Sequence, residues 1–235
     1  DSYYRTQQRD KALKAYEVVL KTNAAEYVEQ AALHCAEITY GQKDYASAFN
    51  YFKQLKQVAQ NSPNKQAAHL GMLRCSYFTN DYQSLVDIAN VILQDPYSEA
   101  IVKTEARFYR AKAYLLHQQL NAAIEDLKII SADTKTAFGA ESKYLLASVY
   151  FQQEKLNEAE NEILDFAKKN TPHQFWLARS FVLLADIYIK KGNDFQAKQY
   201  LLSLKRNYTI QDEIQDLIDE RLSAISQREK KNIIH

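Results

Sequence analysis

Six positions, Ala12, Ala48, Leu85, Ala123, Ala159 and Ala197, recur along the chain at separations of 36, 37, 38, 36 and 38 residues. Each sits in the same frame. Ala36 to Phe52, Ala111 to Leu127, Ala147 to Ile163 and Ala185 to Leu201 all read as a small residue, usually an aromatic three or four positions on, and a short polar turn. An alanine then follows, with a bulky apolar residue four positions beyond it. A small side chain on both sides of a turn is what two antiparallel helices need in order to approach closely. The aromatic and the bulky residue fill the wedge to the next pair, and stacking completes their burial, worth roughly 1.5–3 kcal/mol per side chain.

Punctuation is scarce and falls where this frame needs it. Only 4 Gly and 3 Pro occur in 235 residues, too few for turn-rich β or α/β folds. Pro63, Pro96 and Pro172 all lie between pairs. Ser62-Pro63 and Thr171-Pro172 predict an N-cap followed by proline at the first helical position. Asp44, Asp81 and Asn193-Asp194 are placed to cap second helices, and Gly41 and Gly192 to end first ones. The third unit departs from the frame with Leu73 and Leu85 at both small positions, and Gly71 and Ala89 are the residues able to absorb that volume.

With these residues the chain resembles the tetratricopeptide repeat proteins, over residues 3–207. The resemblance implies an all-α fold, a right-handed α-solenoid of antiparallel helix pairs. The units are a partial one at 1–22 and five more near 24–61, 63–94, 98–132, 135–170 and 172–208. Beyond them Ile214, Leu217, Ile218, Leu222 and Ile225 describe a capping helix at 210–229, followed by a tail at 230–235. The stretch from Leu184 to Leu204 further resembles the closing repeat of long bacterial cell-envelope proteins of this family, which implies a periplasmic or envelope-associated parent. The residues themselves leave the compartment open. Tyr3 and Tyr4 read as the end of a first helix that precedes the chain, an edge that would favour a homodimer.

In this family the first helices line a concave face, and the resemblance places a peptide- or protein-binding stripe on Glu37, Tyr40, Arg74, Tyr77, Phe78, Phe108, Lys112, Tyr144 and Phe151. An aromatic stripe at helical spacing is also how a core between neighbouring first helices looks. The carboxylate clamp of chaperone-binding members is absent, since its positions hold Leu33, Leu70, Phe108 and Tyr144, none of which pairs with a charge. The expected function is therefore a non-catalytic protein-interaction scaffold, or a structural spacer or self-association segment of a longer repeat protein.

Other classes are disfavoured. Lys+Arg 30 against Asp+Glu 29 provides no field to attract nucleic acid, and base-reading repeats need basic grooves. No glycine-rich phosphate loop, nucleophile elbow or metalloprotease motif is present, so no catalytic residues and no cofactor are expected. His34 beside Cys35, and His69 six residues before Cys75, do not place two metal ligands on one helical face. Cys35 and Cys75 read as buried thiols, and no apolar run spans a membrane.

Overall fold

The computed structural model describes residues 8–22 and 26–233, so the expectations for Tyr3, Tyr4 and the last two residues of the tail lie outside the described residues. Among the described residues there are twelve α-helices and no strands. They fall into two compact units, residues 1–119 and 120–235.

The first unit holds α1 (Arg9–Thr22), α2 (Val28–Gly41), α3 (Tyr45–Val58), α4 (Ser62–Phe78), α5 (Tyr82–Gln94) and α6 (Ala100–Leu116). Each helix packs on its neighbour in sequence, and α2 also meets α4, and α4 meets α6. The second unit holds α7 (Leu120–Ile130), α8 (Ala137–Gln152), α9 (Leu156–Lys168), α10 (Gln174–Lys190), α11 (Asp194–Asn207) and α12 (Glu213–Ile233). It repeats the scheme, with α8 against α10 and α10 against α12. The even-numbered helices are thus the first helices of the hairpins, and they stack on one another within each unit.

The recurring small residues are where the helices meet. Ala12, Ala48, Leu85, Ala123, Ala159 and Ala197 are at most 2% exposed, and Ala36, Ala111, Ala147 and Ala185 are wholly buried. Tyr16, Phe52, Leu127, Ile163 and Leu201, four residues after their alanines, are all buried. In the third unit Leu73 and Leu85 are both buried in place of small residues. The space at Gly71, however, is taken by the ring of Phe52 from α3: a Cβ there would lie 2.4 Å from it. Gly71 makes room for the preceding hairpin, not for the two leucines beside it.

The turns inside the hairpins are copies of one another. Asp44, Asp81, Gln119, Lys155 and Asn193 donate their backbone N–H to the carbonyls of Thr39, Ser76, Tyr114, Tyr150 and Tyr188, at 2.8–3.0 Å. This six-residue closure is the Schellman arrangement, and it requires a left-handed residue just before the donor. Lys43, Asn80, Gln118, Glu154 and Gly192 supply it, with φ between 56° and 75°. Gly192 matches expectation. Gly41 does not, because it ends α2 two residues before the left-handed position, which Lys43 occupies. Asp44, Asp81 and Asn193 cap the following helices, accepting from the backbone N–H of Ser47, Ser84 and Gln196.

Between hairpins the sequence reading needs two corrections. Asn61, not Ser62, caps α4, so proline falls within the first turn one position deeper than expected. Thr171 caps no helix, because α10 starts at Gln174. Its hydroxyl instead donates to the Thr134 carbonyl at 2.7 Å and accepts from the His173 N–H at 3.1 Å, so Thr171-Pro172 is a turn tied to the preceding hairpin.

Many polar ties join residues one repeat apart. In the first unit Gln42 donates to Asp10, Tyr51 to Glu17 and Asn64 to Glu29, at separations of 32, 34 and 35 residues. In the second, Lys191 reaches Glu160, Arg228 reaches Asp194 and Arg221 reaches Asp186, at 31, 34 and 35. The last two ties involve α12, which buries Ile214, Ile218 and Ile225 completely against α10 and α11. The helix also continues through Ile233, four residues beyond the end at 229 expected for it.

Two glycine substitutions test this description through opposite signs. Lys43→Gly relieves a left-handed L-residue that costs about 1–2 kcal/mol, partly offset by glycine's chain entropy, and should raise stability by up to about 1 kcal/mol. Gly139→Ala places a Cβ 1.8 Å from the Asp133 carbonyl oxygen, a backbone atom with nowhere to go, and should lower it by about 2 kcal/mol or more. Urea unfolding midpoints at unchanged slope check both.

Candidate functional site

The first unit gathers five of the nine stripe residues into one aromatic layer. Tyr40 on α2 is half-buried, with the rings of Tyr45, Phe52 and Phe78 edge-on to it at 5.4, 6.5 and 6.3 Å. Phe78 stacks on Tyr45 at 4.5 Å and meets Tyr77 at 5.5 Å. Tyr77 then packs on Tyr109 of α6 at 4.8 Å, which is beside Phe108 at 5.8 Å. Lys112, one turn further along α6, holds its ammonium 5.6 Å above Tyr77 and 5.3 Å above Phe108. Such a cation over an aromatic face is held by the ring quadrupole, worth roughly 0.5–1 kcal/mol at an exposed site.

These rings pair between successive first helices, α2 with α4 and α4 with α6, through Tyr40–Phe78 and Tyr77–Tyr109. Phe108 is only 4% exposed and supports the layer from beneath. Phe78, at the end of α4, remains 43% exposed and is the part of the layer open to solvent. Burial raises the Tyr40 hydroxyl pKa, and burial with the nearby Glu105 carboxylate pushes that of Tyr109 up to about 12, so both phenols are neutral at physiological pH.

Arg74 is on α4 one turn before Tyr77 and Phe78. Its Nε and Nη2 donate to the two carboxylate oxygens of Glu105 at 2.5 and 2.8 Å, a two-pronged pair joining α4 to α6. That hydrogen bonding outweighs burial and holds the guanidinium pKa above its usual value. Arg74 is therefore engaged within the fold. Glu37, one turn before Tyr40, has its carboxylate 3.1 Å from His34 Nδ1.

In the second unit, Tyr144 and Phe151 lie two turns apart on α8 and make separate contacts. Tyr144 stacks on Trp176 of α10 at 5.6 Å, with the Arg179 guanidinium 5.3 Å above its ring. Phe151 lies under the Lys190 ammonium at 5.1 Å, and Lys190 pairs with Glu154. Tyr45, Tyr109, Trp176 and Glu105 belong to these groupings although the stripe did not include them. Tyr109 and Glu105 are on α6, next to Phe108 and one turn before it, and Trp176 is in the first turn of α10, a helix on which the stripe has no residue. Tyr45 opens a second helix, where the repeat frame does not look.

Among the described residues no group of three His, Cys, Asp or Glu side chains could hold a metal ion, and no helix is long and apolar enough to cross a membrane. Cys35 and Cys75 are buried free thiols, each with its pKa pushed up to about 12, chiefly by burial. At neutral pH neither is a thiolate nucleophile.

Residues 175–209, which are α10, α11 and their turn, match the family model of the tetratricopeptide repeat. The fold is that of tetratricopeptide repeat proteins. MamA from Desulfovibrio magneticus RS-1 superposes with a TM-score of 0.62 over 78% of this chain and 97% of its own, at 16% identity. YrrB, a TPR protein described as having an unusual peptide-binding site, aligns with a TM-score of 0.59 over 83% of this chain and 95% of its own, at 12% identity. PilW, described as a widely conserved type IV pilus biogenesis factor, aligns with a TM-score of 0.60 over 92% of this chain and 94% of its own, at 21% identity. No curated protein matches the chain. At these identities the likeness is one of fold, and proteins with this repeat fold typically bind other proteins and are not enzymes.

Removing one partner of the Arg74–Glu105 pair separates a structural tie from a free ligand contact. Glu105 is 6% exposed, so Arg74→Ala leaves a carboxylate buried without its cation. Breaking fully buried pairs costs about 3–5 kcal/mol, and partial exposure of Arg74 lowers the expected loss to about 2 kcal/mol. Chemical denaturation of Arg74→Ala should show it. A loss below about 0.5 kcal/mol would return Arg74 to the set of residues available to a ligand.

Proposed function

We propose that this chain is a protein-interaction scaffold whose aromatic layer, at the Phe78 end of α4, docks an extended or helical segment bearing apolar side chains. The observation that carries the reading is the exposure of Phe78, a large ring left 43% open while packed against Tyr40, Tyr45 and Tyr77. Aromatic anchors with a rigid surround are the usual centres of binding energy in such interfaces, because their own ordering is complete before the partner arrives. Glu37 and Lys112 would contribute polar contacts at the edge of that layer, with Tyr77 within it. Tyr144 and Phe151 would offer comparable ring faces on α8 in the second unit. Arg74 would act indirectly, by bracing α4 against α6.

YrrB's described peptide-binding site supports a peptide ligand for a fold of this kind, and PilW's description supports a role in assembly.

A peptide array carrying apolar and aromatic decamers, probed with the full chain, tests this reading. Binders should be enriched in Leu, Phe, Tyr and Trp. Phe78→Ala should weaken them at least tenfold, about 1.4 kcal/mol, at a temperature where circular dichroism shows the variant still folded. Equal binding by wild type and Phe78→Ala would remove the layer from the interface.

A further inference from the structure

A cavity of about 280 Å³ opens at the end of the α10–α11 hairpin away from its turn. Its walls are Leu177 and Phe181 of α10, Tyr200 and Leu204 of α11, and Tyr208, with Ala178 as a small floor residue. Ala178 and Tyr208 are 2% and 6% exposed, whereas the rim residues Gln174 and Asn207 are exposed, so the depression is deep on one side and open on the other. Tyr200 is fixed by stacking on Tyr188 at 5.4 Å and lies 6.2 Å from Phe181. Tyr208 is fixed by donating to Asp212 at 2.5 Å. The rings therefore hold the cavity open without a ligand.

We propose that this cavity is a second binding site, separate from the aromatic layer of the first unit, and that it takes the indole side chain of a tryptophan presented by a partner protein. Three properties select that occupant. The first is charge: none of the nine lining residues is an Asp, Glu, Lys, Arg or His, so the complementary group is uncharged. The second is size, since a cavity of about 150 Å³ already accepts one benzene ring and this one is nearly twice as large, which suits a fused pair of rings. The third is the rim. Asn207 commits its Nδ2 to the Ser203 carbonyl at 2.9 Å and Gln174 its Nε2 to the Thr171 carbonyl at 2.9 Å, so both amides offer oxygen acceptors. An indole N–H is a donor and nothing else, whereas a leucine or phenylalanine side chain would leave those acceptors unanswered.

Titration of the ¹⁵N-labelled full chain with N-acetyl-tryptophan amide, followed by amide chemical shifts, tests this. N-acetyl-leucine amide and aspartate diamide serve as comparisons. The shifts should cluster at 174–181 and 200–208, saturate at millimolar concentration, and favour the tryptophan probe at least tenfold over leucine, with none for aspartate. Ser203→Phe, which fills the cavity from its rim, should abolish them. Asn207→Leu, at an exposed position where folding is not at stake, should reduce the preference for tryptophan over leucine at least threefold. Phe78→Ala, which disables the layer of the first unit, should change nothing here, so the two sites stand or fall separately. Shifts that are absent at the solubility limit of the probe, scattered over the surface, equal for leucine, or unaffected by both rim substitutions would overturn the proposal.

Discussion

The close approach of paired helices at buried alanines governs everything else in this molecule. With no side chain beyond Cβ at Ala48, Ala159 or Ala197, the two helix backbones come near enough for residues a turn away to reach across. Tyr16 then finds burial against α2, Phe52 against Gly71 of the next hairpin as well as Tyr40 of its own, and Leu201 in the cluster that α12 completes. A hairpin alone would leave these side chains in water, so its stability is a property of the neighbours as much as of itself. The repeat-spaced polar ties follow from the same geometry, since any two equivalent positions on consecutive hairpins lie side by side.

Regular stacking also explains why aromatic residues accumulate between first helices. Successive first helices contribute rings that meet, and Tyr40 with Phe78, Tyr77 with Tyr109, and Tyr144 with Trp176 are the resulting pairs. A ring caught in such a pair is rigid before any ligand arrives. What distinguishes Phe78 is position: it ends α4, where the pairing runs out and one face is left uncovered. A surface of this kind differs from a groove lined by freely rotating side chains, because little conformational entropy remains to be lost on docking.

The architecture was legible in the sequence because it depends on spacing, and spacing survives without knowledge of contacts. Ala12 through Ala197 located the second helices, and Asp44, Asp81 and Asn193 located their starts. Features that depend on the path of the backbone were not legible. Lys43, Asn80, Gln118 and Glu154 take a left-handed conformation that their side chains do not advertise, imposed because the Schellman closure needs it at that point in every hairpin. Thr171 looks like a helix cap and is instead bonded to a carbonyl 37 residues back. For the candidate surface, register placed Tyr40, Tyr77 and Phe78 on one stripe, and their rings do meet in one layer. Register gave no warning that Arg74 would be engaged by Glu105, a contact 31 residues along the chain.

The place taken by α12 has a consequence for how such a chain can change. It lies against α10 and α11 as a first helix would, and its Arg221–Asp186 pair links first helix to first helix as Arg74–Glu105 does, with the charges exchanged. Its outward positions Asp216, Asp219, Glu220, Ser223 and Gln227 are polar and exposed. The helix is therefore suited to close the end of any preceding hairpin of the same make. Duplication of a whole hairpin ahead of it would lengthen the molecule while reusing the same closing contacts, so growth or shortening by complete repeats is the evolutionary change this architecture resists least.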